Sequence, residues 1–256
     1  MLHSFKKGTP EKGWVVLIHG LGEHIGRYEK LVSNLVNRNF GVIGFDLPGH
    51  GKSPGKRGHT SIEKVLKIID ELTDTIDKFF IFGHSLGGLI AIRYAQENNN
   101  KIRGLIASSP ALHIKTTSLK KFLSNVLDLF VPSITMSNGI DPELLSRNKE
   151  AVENYLSDEL VHDRISVRLG KSLLKNIKLA HEKVGLIFTP TLLLVGTKDR
   201  ITPITGSILF YNDLQVMDKK IIRFDGGFHE LFEDPEHGEE FYNIIYNWLE
   251  EHAEKR

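Results

Sequence analysis

The 256-residue chain contains no cysteine. This absence excludes disulfide frameworks, cysteine-ligated zinc sites, iron–sulfur clusters and a thiol nucleophile. Long apolar runs are missing as well: Val15–Ile18, Phe79–Phe82 and Thr191–Val195 are far shorter than the ~20 residues that a membrane helix needs. No apolar stretch of signal-peptide length follows the N-terminal lysines. We therefore expect a cytoplasmic protein.

An excess of charge of one sign is also absent, since 33 Lys and Arg residues stand against 32 Asp and Glu residues. The formal net charge of +1 argues against nucleic-acid binding through a basic surface. The length suits one large domain, or a core domain that carries an insertion. Twelve histidines are the abundant groups for acid–base chemistry.

Short apolar runs alternate with amphipathic helical patterns in both the first and the last part of the chain. Strands are predicted at Trp14–His19, Gly41–Asp46, Phe79–Phe82, Gly104–Ser108, Thr191–Gly196 and Lys220–Phe224, and helices at Arg27–Asn39, Ile62–Asp77, Ser85–Glu97, Ile204–Leu214 and Glu236–His252. This alternation predicts an α/β protein with a mostly parallel central sheet and helices on both faces.

The alternation stops between residues 113 and 185, where the pattern is helical and no strand is evident. An amphipathic helix is predicted over Leu119–Phe130 and ends at Pro132. We therefore predict an α/β core formed by residues 1–112 and 186–256, interrupted by a helical cap over residues 113–185.

A serine lies at the centre of the pattern G-x-S-x-G in residues 83–87, between a predicted strand and a predicted helix. In this context the pattern indicates a nucleophile elbow. Gly83 and Gly87 lack Cβ atoms, so that strand and helix can crowd around a strained serine backbone. Ser85 is therefore the candidate nucleophile, and a structural turn serine is the alternative.

A serine nucleophile needs a histidine base, which is expected in a loop after the last strand. His229 fits this position. Its segment also begins the zinc-binding pattern H-E-x-x-H, but the fifth position is Glu233, so that interpretation fails.

The base needs a carboxylate that fixes its tautomer. Asp199 directly follows the predicted strand Thr191–Gly196 and is the first candidate, with Asp225 and Glu230 as competitors. The order Ser85, Asp199, His229 is the chain order of the α/β-hydrolase fold.

Two backbone N–H groups are expected to form an oxyanion hole. One belongs to Leu86, directly after the serine, and the other to Leu21 in the loop after the first predicted strand. The alternative is that this loop is only a strand–helix turn.

Motifs for phosphate and dinucleotide binding fail on their spacing. Gly51–Ser53 resembles the end of a P-loop, but the first glycine of that motif would fall on Asp46. A dinucleotide fingerprint starting at Gly20 would require glycine where Ile25 stands. No histidine pair has convincing metal-ligand spacing on a helix. We expect neither a metal nor an organic cofactor.

Several segments together resemble a known family. They are H-G-x-G-E-H-x-G-R-Y at 19–28, D-L-P-G-H-G-K-S at 46–53, R-G-H at 57–59, G-H-S-L-G-G at 83–88 and S-P-A-L at 109–112. Their combination resembles the monoacylglycerol lipases and related bacterial and archaeal lysophospholipase-like α/β hydrolases, and the likeness runs through most of the chain.

The resemblance implies the triad Ser85, Asp199 and His229, with Leu21 and Leu86 at the oxyanion-hole positions. It also implies a helical cap whose apolar underside covers an acyl tunnel. Substrate contacts are expected from Leu119, Phe122, Leu123 and Val126. Glu23 and Arg27 are interpreted mainly as a structural ion network, with contact to a glycerol head group as the alternative.

Other features of the motif loops and the cap have two interpretations each. His19, His50, His59 and His84 are expected to brace tight loops rather than to catalyse. The apolar face of Leu119–Phe130 is expected to pack and line the pocket; the flanking Lys115, Lys120 and Lys121 favour transient membrane contact instead. Two departures from the family are the short N-terminus and Glu159, where relatives usually have proline.

The resemblance implies a serine ester hydrolase that cleaves a single-acyl lipid, first of all monoacylglycerol, through an acyl-enzyme. Lysophospholipase and small-ester carboxylesterase activities are the alternatives within this class, and a proline-specific peptidase shares the fold. A hydrolase fold kept as a small-molecule-binding module is the alternative outside it.

Overall fold

The computed structural model describes residues 1–114 and 132–253. Its main sheet has seven strands in the order β1-β3-β2-β4-β5-β8-β9, all parallel except β1 at one edge. Their bounds are β1 Ser4–Lys7, β2 Trp14–Ile18, β3 Gly41–Phe45, β4 Phe79–His84, β5 Ile102–Ser108, β8 Thr191–Gly196 and β9 Lys219–Phe224.

Helices cover both faces of this sheet, as the sequence predicts. They are α1 Glu29–Asn37, α2 Ile62–Leu72, α3 Leu86–Glu97, α4 Lys149–Ser157, α5 Val167–Glu182, α6 Ile204–Asp213 and α7 Gly238–His252. One apolar cluster joins the sheet to α2, α3, α5 and α6, and a second joins the opposite face to α1 and α7. The predicted α/β-hydrolase fold is thereby confirmed.

The inner strands β2, β3, β4 and β8 are mostly apolar because both of their faces are covered. In β2, Val16 and Ile18 belong to one cluster while Val15 and Leu17 belong to the other. Side chains of a strand alternate between faces, so a strand buried on both sides reads as a continuous apolar run. The carboxyl ends of these parallel strands meet at one edge, where the loops that carry the candidate site begin.

The edge strand β1 was not predicted. Its sequence is short and polar, and it pairs antiparallel with β3, Ser4 opposite Phe45. The Phe5 ring lies over Gly44, where a Cβ atom would overlap it. An edge strand of four residues with one apolar side chain carries too little periodicity to be recognised.

Several helix ends differ from the predicted ones. The segment predicted as one helix over Arg27–Asn39 begins as a 3₁₀ turn at Ile25–Tyr28 and becomes α-helical only from Glu29. Helix α2 ends at Leu72, short of Asp77, and the Thr73 hydroxyl donates to the Ile69 carbonyl oxygen at 2.7 Å. The apolar periodicity continues past the end of the helix, so periodicity alone overestimates its length.

The expectation of a strandless insertion was wrong. Within its described part, β6 (Thr135–Ser137) pairs antiparallel with β7 (Arg164–Ser166), beside helices α4 and α5. Strands of three residues leave no period-2 signal. The predicted helix Leu119–Phe130 lies entirely outside the described residues, as do the four substrate contacts placed on it. The division into a core and a cap over residues 113–185 stays a prediction.

Over residues 1–114 and 132–253, no helix is both long enough and apolar enough to span a bilayer.

Helix α3 approaches the end of β2 so closely that only glycine fits at the contact. A Cβ atom on Gly87 would overlap the carbonyl oxygen of Ile18, and one on Gly83 would overlap the carbonyl oxygen of Gly87. These neighbours are backbone atoms of buried elements, which cannot move without shifting a strand or a helix. The contact therefore fixes where the first turn of α3 lies.

We expect Gly87→Ala to lower the free energy of unfolding by about 3 kcal/mol, because the added methyl group forces backbone elements apart. Gly185→Ala is the matched control, since nothing lies within 4 Å of its Cβ position; it should change stability by less than about 1 kcal/mol. Urea titration of both variants measures the difference. Equal stabilities would contradict the close approach.

Candidate active site

Ser85 lies at the junction of β4 and α3 in a strained backbone conformation. Its φ of 53° and ψ of −116° lie outside the regions that ordinary residues prefer. Backbone hydrogen bonds hold this conformation: Ser85 N–H donates to the Ser108 carbonyl at 2.9 Å, and Ala111 N–H donates to the Ser85 carbonyl at 3.0 Å. Strain of this kind concentrates at functional sites.

The predicted base and acid are in direct contact. His229 Nδ1 lies 2.8 Å from Asp199 Oδ2, and both side chains are buried. The other carboxylate oxygen, Oδ1, accepts from the N–H groups of Ile201 at 2.8 Å and Thr202 at 2.9 Å. Asp199 follows β8, while His229 lies in the loop after β9, so neighbouring strand ends bring them together.

The two competing carboxylates have other partners. Asp225 accepts a hydrogen bond from the Thr197 hydroxyl at 3.1 Å. Glu230 receives two bonds from Arg27, at 2.6 and 2.8 Å. The geometry therefore favours Asp199 as the carboxylate that orients His229.

Opposing electrostatic effects set the pKa values of the buried pair His229 and Asp199. Burial alone would lower the pKa of His229, but the Asp199 carboxylate raises it above the ordinary value. Burial alone would raise the pKa of Asp199, and the contact with His229 lowers it instead. His84, whose ring lies 4.8 Å from that of His229, has its pKa lowered to about 3 by burial and by that neighbour. His84 is therefore neutral at physiological pH.

The loop that carries Leu21 is shaped by the buried carboxylate of Glu23. Its Oε1 accepts from Gly20 N–H at 2.5 Å and from the Tyr28 hydroxyl at 2.8 Å. Burial alone would raise the pKa of Glu23, but Arg27 and nearby histidines lower it to about 2. This carboxylate is charged and fixes the start of the loop, next to the N–H of Leu21.

Leu21 and Leu86 are the two residues predicted to form an oxyanion hole. Both line one cavity with Ser85. Leu86 is the first residue of α3, so its N–H has no acceptor within the helix and lies at the positive end of the helix dipole. A Cβ atom on Gly20 would come within 3.2 Å of Ser85 Cβ, so the Leu21 loop passes directly beside the serine.

Arg27 joins the Leu21 loop to the His229 loop. Its guanidinium donates to Glu23 at 3.0 Å and to Glu230, the neighbour of His229. The guanidinium carbon also lies 4.9 Å from the ring centre of Tyr155. With Arg27 committed to two buried carboxylates, the interpretation as an ion network accounts for its contacts. Glu23 also lines a cavity beside Ser85.

The motif histidines brace loops to different degrees. His19 bonds through both ring nitrogens, with Leu47 N–H donating to Nε2 at 2.9 Å and Nδ1 lying 2.8 Å from the Gly20 carbonyl. His50 and His84 each make one such contact, to the Pro48 carbonyl and to the Ser108 hydroxyl. His59 Nδ1 is buried without a partner.

The described part of the insertion docks on the Leu21 loop. His162 N–H donates to the Gly22 carbonyl at 2.8 Å, and His24 Nε2 lies 2.7 Å from Asp158 Oδ2. A side chain at Gly22 would overlap the His162 carbonyl oxygen. Glu159, the departure from the family pattern, is exposed beside this contact.

Two cavities meet at Ser85. The larger, of about 270 Å³, has mostly apolar described walls, which include Leu21, Leu86, Ala111, Ile114, Ile140, Leu144, Ile165, Leu173 and Ile201. The smaller, of about 10 Å³, is lined by the polar residues Glu23, His84, Ser85, Tyr155, His229 and Glu230 and by the apolar residues Leu21, Ile140 and Leu145. Ser85 thus lies between a larger, mostly apolar cavity and a small one of mixed polarity, and it shares the small one with His229.

Sequence reasoning missed three residues of this site. Thr202 contacts both Asp199 and His229, the Ser109 hydroxyl donates to the His229 carbonyl at 2.7 Å, and Tyr155 lines the small cavity. Ser109 stands in the S-P-A-L segment, but nothing there indicates which loop its hydroxyl reaches. Thr202 and Tyr155 belong to no motif, so only their position in the fold reveals them.

Comparison with known proteins places this arrangement among hydrolases. The family model described as "Serine aminopeptidase, S33" matches residues 9–236. A crystal structure of the Paleococcus ferrophilus monoacylglycerol lipase has a TM-score of 0.95 and 55% identity to this chain, covering 98% of it and 99% of the other.

Curated relatives agree with this placement. Human monoglyceride lipase is 32% identical over 94% of this chain and 83% of its own length. The phospholipase YtpA of Bacillus subtilis is 32% identical over 89% of this chain and 91% of its own length. An uncharacterized abhydrolase domain-containing protein of Dictyostelium discoideum is 36% identical over 94% of this chain, which spans only 26% of that longer protein.

The lowered pKa of Glu23 predicts a pH-dependent contribution to stability. Because the pKa is about 2 in the folded protein and higher in the unfolded one, the carboxylate stabilises the fold at neutral pH. That contribution is lost as the pH falls from about 5 to about 2. We expect Glu23→Gln to unfold with a flatter pH dependence than the parent protein across this interval.

Urea titrations at several pH values measure this effect. The matched control is Glu250→Gln, which removes an exposed ion pair with Lys12 and should leave the slope unchanged. If Glu23→Gln and the parent protein lose stability in parallel on acidification, the charged network is not what holds the loop.

Proposed function

Since the chain belongs to the serine hydrolase family whose model matches residues 9–236, we propose that it cleaves monoacylglycerol to a free fatty acid and glycerol. The observation that carries the proposal is the position of Ser85 at a mostly apolar cavity of about 270 Å³, beside the buried pair of His229 and Asp199. Such a cavity can bury a single acyl chain. The monoacylglycerol lipase with 55% identity supports this substrate class.

The proposed reaction proceeds through an acyl-enzyme. His229 accepts the proton of the Ser85 hydroxyl while the serine oxygen attacks the ester carbonyl, and the N–H groups of Leu21 and Leu86 stabilise the oxyanion. The C–O bond to glycerol then breaks, and His229 returns the proton to the leaving oxygen. A water molecule, deprotonated by His229, attacks the acyl-enzyme. His229 then returns this proton to the Ser85 oxygen as the bond to the fatty acid breaks.

Asp199 keeps His229 in the reactive tautomer. An Nδ1–H directed at the carboxylate leaves Nε2 free to accept the serine proton. The same carboxylate raises the pKa of His229, so the resting enzyme loses its base as the pH falls through that raised value. No metal or organic cofactor enters these steps.

Substrate contacts follow from the two cavities. The apolar walls accept the acyl chain, and each CH₂ group of the chain that is buried there contributes about 0.8 kcal/mol to binding. The contacts predicted from the sequence for the same compartment, which stay predictions, are Leu119, Phe122, Leu123 and Val126. Glu23, which lines the small cavity beside Ser85, is our candidate for contact with the head group, while Arg27 acts through Glu23 and Glu230. We also propose a cytoplasmic location and transient membrane contact through the predicted cap helix.

Lysophospholipase activity is the second candidate, supported by the 32% identical phospholipase of Bacillus subtilis. A lysophospholipid shares the single acyl chain but carries a charged and larger head group. The 55% identical monoacylglycerol lipase favours the small neutral head group over it. Small-ester carboxylesterase activity would require less of the apolar cavity. Because the matching family is described as a serine aminopeptidase family, a peptide is a further test substrate.

We expect the purified protein to hydrolyse monoacylglycerol in preference to diacylglycerol and lysophospholipid when the three compete at equal concentration. Ser85→Ala should lower this activity by at least about 10³-fold because the nucleophile is lost. Fatty-acid release from each substrate, followed by mass spectrometry, measures both effects. Preference for the lysophospholipid would replace the first-choice substrate, and an equally active Ser85→Ala variant would show that the site is not catalytic.

Asp199→Asn should lower turnover by about 10⁴-fold, since the amide leaves His229 in the wrong tautomer. Asp225→Asn is the matched control, because Asp225 contacts Thr197 rather than His229. Steady-state rates on a p-nitrophenyl acyl ester compare the two variants. Near-normal turnover of Asp199→Asn would transfer the role to Asp225 or Glu230.

A further inference from the structure

The hydroxyl of Thr202 lies at the centre of the buried contact between acid and base. Its Oγ1 is 2.8 Å from Asp199 Oδ2, 3.2 Å from His229 Nδ1 and 3.0 Å from the Ser109 carbonyl oxygen. Thr202 itself is buried. A hydroxyl group that touches both members of an acid–base pair can influence the position and the proton affinity of each.

Thr202 has one hydroxyl proton and two acceptors within reach. The Asp199 carboxylate is charged and closer, whereas the Ser109 carbonyl is neutral and slightly more distant. Hydrogen bonds to an ionised acceptor are stronger than those to a neutral one. The proton therefore points to Asp199 Oδ2.

This bond completes the set of donors around the Asp199 carboxylate. Oδ1 accepts the N–H groups of Ile201 and Thr202, so it is held from the backbone. Oδ2, the oxygen that contacts His229, has the Thr202 hydroxyl as its second donor. Loss of this hydroxyl would leave the oxygen that orients the histidine with one partner fewer.

Ser109 holds the same assembly from the opposite side. It has a φ of 41°, unusual for a residue other than glycine, and its N–H donates to the Leu194 carbonyl of β8 at 2.8 Å. Its hydroxyl donates to the His229 carbonyl at 2.7 Å. The backbone of His229 is thus anchored through Ser109, while its ring is oriented through Asp199 and Thr202.

We propose that Thr202 is a positioning residue of the hydrolytic site, whose hydroxyl donates to Asp199 Oδ2 and thereby holds the His229 ring in its reactive orientation. The inference rests on the proposed function, in which His229 is the base. Thr202 reaches no reacting atom of the ester through this hydroxyl, and its effect passes through Asp199.

The direction of the proton has a consequence for the basicity of His229. The ring is surrounded by Asp199 from the β8 loop, His84 from the end of β4, Glu23 from the Leu21 loop and its own neighbour Glu230. Thr202 is uncharged, so replacing it leaves these charges in place. A hydroxyl proton directed at Oδ2 weakens the attraction between this carboxylate and the positive charge that the ring gains on protonation, so removing the hydroxyl raises the pKa of His229.

The test compares Thr202→Val, which removes the hydroxyl at nearly constant volume, with Thr202→Ser, which keeps it. We expect Thr202→Val to lower kcat about tenfold with KM changed less than about twofold, because loss of a hydrogen bond to a charged group misplaces the base. The acid limb of the pH profile of kcat/KM should move to higher pH. Thr202→Ser should restore both values towards those of the parent enzyme.

Thr191→Val is the matched control. Thr191 is buried at the opposite end of the same strand, β8, and its hydroxyl donates to the Thr189 carbonyl at 2.9 Å. This variant should keep the parent pH profile whatever its melting temperature. All variants are assayed on a p-nitrophenyl acyl ester from pH 5 to 9, and thermal melts give the folded fraction.

Three results would overturn the proposal: an unchanged kcat and acid limb in Thr202→Val, an equal loss in Thr191→Val, or a shift of the acid limb to lower pH. The last result would mean that the hydroxyl donates to Ser109 and accepts from His229. Ser85→Ala in the same assay separates this failure from failure of the proposed function, because an inactive Ser85→Ala variant shows that the serine site performs the hydrolysis being measured.

Discussion

The close approach between the first turn of α3 and the end of β2 determines the geometry of the whole site. It depends on Gly83 and Gly87, at which any side chain would overlap backbone atoms. With the helix pressed against the strand, Ser85 adopts its strained conformation and the loop after β2 passes directly beside it. The nucleophile and the two candidate oxyanion donors are therefore positioned by one packing constraint rather than by three separate ones.

Buried charge joins the parts of the site that the sheet alone does not connect. The guanidinium of Arg27 bridges Glu23, which shapes the Leu21 loop, and Glu230, which adjoins His229. Removing one member of such a network leaves an unpaired buried charge, which is costly. The network thus makes the Leu21 loop and the His229 loop depend on each other, although they lie more than two hundred positions apart in the chain.

Sequence patterns predicted the elements with strong periodicity and the residues with fixed spacing. The strands buried on both faces, the G-x-S-x-G turn and the order of Ser85, Asp199 and His229 all leave signals that depend on local sequence. The edge strand Ser4–Lys7 and the three-residue strands of the insertion do not, because their pairing partners supply most of their stabilisation. The role of Thr202 could not be predicted from local sequence either, because its contacts form only when the ends of β5, β8 and β9 converge.

The docking of the insertion on Gly22 has a consequence for protein engineering. His162 N–H holds the Gly22 carbonyl, and Asp158 holds His24, so the loop that carries Leu21 has part of its shape imposed by the inserted segment. Exchanging this segment between relatives would therefore also alter the Leu21 loop. A chimera that keeps residues 158–166 of this chain would preserve both contacts, so that the rest of the segment can be redesigned without disturbing that loop.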